Sequence, residues 1–168
     1  MGWRWMLLLA AAAAGCAGTP APEVARVMGG ERREQTFVSP YAYEWYVRGE
    51  LAAAHGDLEA AARAFQRARS GPEDDPYVIA RLADVLDRLG RRGEAERVLD
   101  EGLALDPASE AVWLARARIA RRHDALGDAL EAYHQAEQAA PASPEAPLEL
   151  AELLREAGRP GRAAAVLR

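Results

Sequence analysis

Apolar and polar positions in this chain recur with a long period. From residue 42 the sequence reads "AYEWYVRGELAAAHGDLEAAARAFQRARSGPEDD", "PYVIARLADVLDRLGRRGEAERVLDEGLALDPAS" and "EAVWLARARIARRHDALGDALEAYHQAEQAAPAS", then a shorter "PEAPLELAELLREAGRPGRAAAVLR". The units start at Ala42, Pro76, Glu110 and Pro144, a constant interval of 34 with no gap. Each unit reads as two helices with a tight turn between them. Helix starts are signalled by Ser39-Pro40, Asp75-Pro76, Ser109 before Glu110, and Ser143-Pro144, because short oxygen-bearing side chains cap helices and proline suits the first helical position. Turns are signalled by Gly56-Asp57, Gly90, Asp124 through Gly127-Asp128, and Gly158.

Small residues sit at Gly49, Ala83, Ala117 and Ala151 in the first helices, and at Ala61, Ala95, Ala129 and Ala163 in the second. Where two helices cross closely, anything larger than a methyl group forces the axes apart. Large residues at Phe65, Leu99, Tyr133 and Leu167, with small Ala68, Gly102 and Ala136 after the first three, fill the space between neighbouring pairs. Together with Trp45 and Trp113 near the start of two units and Pro107 and Pro141 at the close of two, this pattern resembles the tetratricopeptide repeat (TPR). The resemblance covers residues 40–168 and implies an all-α solenoid of about three and a half stacked helix pairs, with repeats at 42–75, 76–109, 110–143 and a partial 144–168. Arg48 and Arg116 stand where that family prefers leucine, so only their aliphatic stems are expected to be buried. The last repeat stops partway through its second helix, and its apolar residues Ala163, Val166 and Leu167 are expected to be frayed, or covered by a partner or a second copy.

Ahead of the repeats, Met6–Ala14 is an unbroken apolar run with Arg4 before it and Gly15-Cys16 after it. A positive start, a short apolar centre and small residues predict an export signal over residues 1–15. The run is about half of the ~20 residues that span a bilayer, so no permanent transmembrane helix is expected. The opening Met-Gly lacks the hydroxyl residue that an acylation signal needs where Met6 stands. Ala13-Ala14-Gly15-Cys16 resembles the lipobox of bacterial lipoproteins, with Ala13 in the place usually held by leucine. That resemblance implies lipid (palmitate-type) attachment at Cys16 and cleavage before it. Ala17, which is not Asp, implies the outer membrane, facing the periplasm. The other reading is a secretory signal cut after Ala17, which leaves a soluble protein. Residues 16–38 read as a flexible, lipidated tether, since Pro20, Pro22, Gly29 and Gly30 interrupt regular structure.

Composition narrows the function. Half the residues are apolar, with alanine supplying much of that share and bulky side chains scarce, which suits closely packed helices. The net charge is −5, or −6 once the leader and its Arg4 are removed, and this argues against non-specific nucleic-acid binding, which needs a basic face; no nucleic-acid partner is expected. One cysteine allows no internal disulfide. No catalytic constellation, cofactor motif or metal-ligand spacing stands out. His55 and His123 occupy equivalent places at the ends of first helices, where the helix dipole favours them, and His134 has no cysteine or histidine partner at ligand spacing. No enzyme is expected.

A binding face is the better use of such a shape. Repeat phase places Tyr43, Tyr46 and Glu50, then Tyr77, Asp84 and Arg88, then Leu114, Arg118, Arg121 and Arg122 along the concave side. One reading has a peptide set its apolar side chains on the tyrosines and a carboxylate on the arginines; the other has the arginines as a solvated face and the tyrosines as half-buried packing. The Lys/Asn clamp that some TPR proteins use for C-terminal carboxylates is absent, for the chain contains neither residue. By resemblance, the expected role is that of an adaptor or assembly factor in the bacterial cell envelope, in pilus or secretion, outer-membrane or cell-wall machinery. A soluble exported or cytoplasmic scaffold is the alternative.

Overall fold

The computed structural model describes residues 24–28, 31–35, 39–69 and 75–168. The chain divides into two units, Met1–Val38 and Ser39–Arg168. In the first, strand β1 (Val24–Met28) pairs antiparallel with β2 (Glu31–Gln35), with Val24 opposite Gln35 and Met28 opposite Glu31. A flexible tether with no regular structure was the expectation for this stretch, so the two strands are a departure from it. Their sequence reason is Gly29-Gly30, a dipeptide favoured in two-residue hairpin connections, following a Val-containing run. The leader, Cys16 and the rest of the expected tether lie outside the described residues.

The second unit is all-helical among its described residues. Its first two pairs are α1 (Pro40–Ala54) with α2 (Leu58–Ala68), and α3 (Pro76–Arg88) with α4 (Arg92–Leu105). The next two are α5 (Glu110–Arg122) with α6 (Leu126–Ala139), and α7 (Glu145–Glu156) with α8 (Pro160–Val166). These are stacked helix pairs of the TPR type. Of the expected caps, Asp75 forms a side-chain bond, its Oδ1 accepting from the Tyr77 N–H at 2.8 Å; Asp57, read as a turn residue, caps α2, its Oδ1 accepting from the Ala60 N–H at 2.9 Å. Ser39 and Ser109 hold cap positions without a side-chain bond. At the fourth pair the helix begins one residue late, with Pro144 itself as cap and Ser143 Oγ accepting from the Glu145 N–H at 3.3 Å.

The turn inside each pair places one residue in the left-handed region, always at the same point of the repeat: Gly56 (φ 81°), Gly90 (76°), Asp124 (56°) and Gly158 (71°). Asp124 is the one non-glycine in that series, and aspartate is among the residues that tolerate this conformation best.

Packing follows the small-residue pattern. A Cβ on Gly49 would lie 2.6 Å from Phe65 Cε1, and Phe65 is fully buried, so its ring has nowhere to go. A Cβ on Gly102 would lie 2.8 Å from Ile79 Cγ2 and 3.2 Å from Val112 Cγ2. The helix α5 joins two apolar clusters. Val112, Ala115 and Ile119 pack toward the first two pairs, while Leu114, Ala117 and Ala120 pack toward α6, α7 and Ala163 of α8. Burying a side chain such as Phe65 or Leu99 contributes about 2 kcal/mol.

Arg48 and Arg116 both set their guanidinium groups against tryptophans, Arg48 over Trp45 at 4.6 Å and Arg116 over Trp113 at 5.6 Å, but the Arg48 side chain is exposed rather than buried along its stem. Their charged ends go to Glu44 and Asp100. The Glu44–Arg48 pair occupies positions that hold Val78 and Leu82 in the second repeat and Ala146 and Leu150 in the fourth. Those residues are buried against the preceding pair, so the outward face of the first repeat is polar where later ones are apolar. In the fourth repeat, the face expected to be frayed, or covered by a partner or a second copy, is in part covered by the chain itself: Ala163 is buried, Val166 packs on the second cluster, and Leu167 is exposed.

Replacing Asp124 with Gly relieves the one non-glycine left-handed turn; thermal unfolding followed by circular dichroism is expected to show a gain of about 0.5–1 kcal/mol. Gly49→Ala is expected to cost roughly 1–3 kcal/mol in the same measurement, because the added methyl drives into Phe65.

Candidate functional site

The first helices α1, α3, α5 and α7 lie side by side, and in a solenoid of this kind that row forms the concave surface. All but one of the ten expected face residues are at least partly exposed. Tyr43 and Tyr77, equivalent residues of consecutive repeats, are 63% and 66% exposed. Tyr46 is half-buried, its ring 5.8 Å from that of Phe65. Burial raises its pKa, reinforced by the negative charge of Glu50 and, more weakly, of Asp75. Leu114 is the exception. At 2% exposed it belongs to the second apolar cluster, because α7 covers this position of the third repeat. It is not available to a ligand.

The charged members are engaged with one another across repeats. Arg81 donates to both Glu50 oxygens, at 2.6 and 2.9 Å, between α3 and α1. Arg118 donates to both oxygens of Glu149, between α5 and α7, with its shortest contact at 2.5 Å. Both pairs are 31 residues apart, and the sign is inverted: acid then base in the first, base then acid in the second. A second rung has a separation of 35. Arg122 Nε donates to Asp87 Oδ2 at 2.9 Å, and Arg121 donates to Glu156 at 2.5 Å. Here the sign inverts between successive junctions, whereas the 31-residue pairs stand at the first and third junctions. Arg122 also lies 2.8 Å from Asp84, which has Arg81 and Arg88 at 3.7 and 3.8 Å.

Two groups on this face carry roles that residue-type reasoning missed. The Asp87 side chain is 3% exposed and holds both Arg122 and His123, the latter with Nε2 at 2.7 Å from Oδ1. Tyr133, read as a space-filling residue, is fully buried and donates its hydroxyl to Glu149 Oε2 at 3.1 Å. Burial, followed by the charge of Glu149, pushes its phenol up to about 12. The signal that could have found the rungs was present all along: opposite charges recurring at separations of 31 and 35. Burial works against the charge on Arg121, but its bonds to Glu156 and Tyr133 outweigh this and raise its pKa.

Both expected readings of the face are therefore partly displaced. The arginines form neither a free carboxylate receptor nor a merely solvated surface; they tie neighbouring repeats together. Arg121 and Arg122 are structural as well as surface residues, and exchanging both for Glu perturbs the stack itself.

The comparisons with known proteins agree with this geometry. A family model described as tetratricopeptide repeat matches residues 52–119. No match is found among curated proteins. Among solved structures, the first TPR domain of human RPAP3 superposes with a TM-score of 0.59 at 17% identity, covering 73% of this chain and 96% of that one. The Sgt2 TPR domain from Aspergillus fumigatus gives 0.61 at 19% identity, covering 75% and 85%. The first TPR of Spaghetti (RPAP3), bound to the HSP90 peptide SRMEEVD, gives 0.57 at 18% identity, covering 71% and 95%. The helical unit of this chain is thus a TPR-type α-solenoid.

Two measurements check the electrostatics. The raised Tyr133 pKa favours the protonated phenol in the folded state, so its contribution is complete below the ordinary tyrosine value of about 10 and is lost as pH rises through about 12. Alkaline unfolding followed by phenolate absorbance is expected to show, beyond the titration of the other tyrosines, a late component in that window, and Tyr133→Phe to diminish that component. Separately, Glu50→Arg is expected to destabilise by roughly 1 kcal/mol, with the double variant Glu50→Arg/Arg81→Glu recovering most of the loss in denaturant titration.

Proposed function

We propose that this chain is a non-catalytic adaptor or assembly factor of the bacterial cell envelope. In this reading it is lipid-anchored through Cys16 in the outer membrane, faces the periplasm, and docks a segment of another protein on its row of first helices. The observation that carries the docking half is the TPR-type face itself, on which Tyr43 and Tyr77 remain solvent-exposed one repeat apart while the charged residues around them are already ordered by cross-repeat bonds. An ordered face with exposed aromatic groups loses little side-chain freedom when a partner binds. The solved Spaghetti (RPAP3) domain, which holds an HSP90 peptide, supports a peptide-binding use of this fold. Fold likeness leaves the partner open, and it can belong to pilus or secretion, outer-membrane or cell-wall machinery. Leu167 offers a small exposed apolar site at the last helix for a capping contact.

The anchoring half is supported by the sequence Ala13-Ala14-Gly15-Cys16 after a short apolar run. Several acyl chains, each contributing ~0.8 kcal/mol per buried CH₂, hold a protein on a bilayer without a spanning helix. Among the described residues no helix is long and apolar enough to cross a membrane.

Metabolic labelling with a palmitate analogue tests this. The wild-type chain is expected to take up label and sediment with membranes, and Cys16→Ala to lose the label and appear in the soluble fraction. An unlabelled wild-type protein that fractionates with soluble contents favours the unanchored scaffold instead.

A further inference from the structure

We infer that the first-helix face takes a positively charged, extended peptide segment: an arginine- or lysine-bearing stretch running across the helices, with one cation over Tyr43 or Tyr77. The inference rests on the docking reading above and names the chemistry of the partner.

The charge balance of the face carries it. An acidic or carboxylate-terminated ligand needs a free cation, and each arginine of this face has a carboxylate within ion-pair distance, Arg88 from Asp84 of its own helix and the others from adjacent repeats. Arg81 is held by Glu50, Arg122 by Asp84 and Asp87, Arg118 by Glu149 and Arg121 by Glu156. An incoming carboxylate would merely replace one already in place, with no net gain in pairing. What is left over is negative. At the α7 end two arginines, Arg118 and Arg121, face four carboxylates. Glu149 and Glu156 take the short bonds, and Glu145 and Glu152 stand off at 3.9 and 3.7 Å. Toward the other end of the face, Tyr43 on α1 and Tyr77 on α3 stand exposed.

Away from this acidic end stand the two exposed tyrosines, and a tyrosine ring face attracts a cation. At exposed sites that attraction is about 0.5–1 kcal/mol. A ligand that touches both the tyrosines and the α7 carboxylates has to run across successive helices, which an extended chain does directly. Aromatic faces at one end and carboxylates in excess of arginines at the other therefore complement arginine or lysine, and repel a segment rich in Asp or Glu.

Random-peptide display against the purified full-length chain tests this, followed by affinity measurement on the selected sequences. Enrichment of Arg- and Lys-containing peptides is expected, with binding weakened by added salt. Tyr77→Ala is expected to lower affinity roughly threefold to fivefold, and Glu145→Gln/Glu152→Gln to lower it further for the same peptides. All three residues are solvent-exposed, and unchanged helicity by circular dichroism separates lost binding from lost fold. If acidic or carboxylate-terminated peptides are enriched and still depend on Tyr43 and Tyr77, the charge assignment is overturned while the docking face stands. Selected peptides indifferent to every one of these substitutions overturn both, as does a failure to enrich any sequence.

Discussion

The architecture depends on how closely the two helices of a pair can approach. At Gly49 the clearance to Phe65 is so small that even a methyl group has no room, and Phe65 is itself sealed in the core. Alanines hold the equivalent positions at Ala83, Ala117 and Ala151. A chain poor in bulky side chains cannot fill a thick interior, but it can bring backbones together and let dispersion forces act over short distances. The few large residues, Phe65, Leu99 and Tyr133, then plug the spaces between pairs. Gly102, pressed against Ile79 and Val112, shows that the same restriction governs the packing of one pair on the next.

On that scaffold, charge does different work from the apolar core. The core repeats similar apolar contacts from pair to pair. The first-helix rungs are not repetitive: Glu50–Arg81 and Arg118–Glu149 use the same geometry with opposite sense. Each pair is partly exposed and individually modest in energy, but together they discriminate among arrangements of the repeats. Asp87 adds a buried carboxylate held from two sides, by Arg122 and His123, at the junction of the second and third repeats.

Much of the helical unit was legible in the sequence because its cause is periodic. The interval of 34, the small residues at crossings and the turn signals are properties of single positions, and the helices fall where they indicate. Ser143-Pro144 misplaced a boundary by one residue, since proline itself served as the cap. The strands β1 and β2 were missed because glycines read as breakers of structure also connect hairpins. The face was half legible. Repeat phase selected the right row of residues but could not say which of them another helix would cover, so Leu114 was counted as exposed. Nor could it show that Arg118, Arg121 and Arg122 had partners, because each pairing links residues 31 to 36 apart and depends on the stacked geometry. Tyr133 was recognised by size, while its hydroxyl bond to Glu149 emerged only from the packing.

The inverted rungs bear on how such a gene can change. Arrays of similar units are prone to lose or gain a copy by unequal crossing-over, and a purely apolar stack would survive the loss of one. Here, excision of residues 110–143 would join the second repeat to the fourth, setting Asp84 where Arg118 now meets Glu149 and Asp87 where Arg121 now meets Glu156. Acid would then face acid on both rungs. The order of the repeats is in this way written into the protein as electrostatic polarity, and a shortened descendant would need compensating substitutions before it could stack.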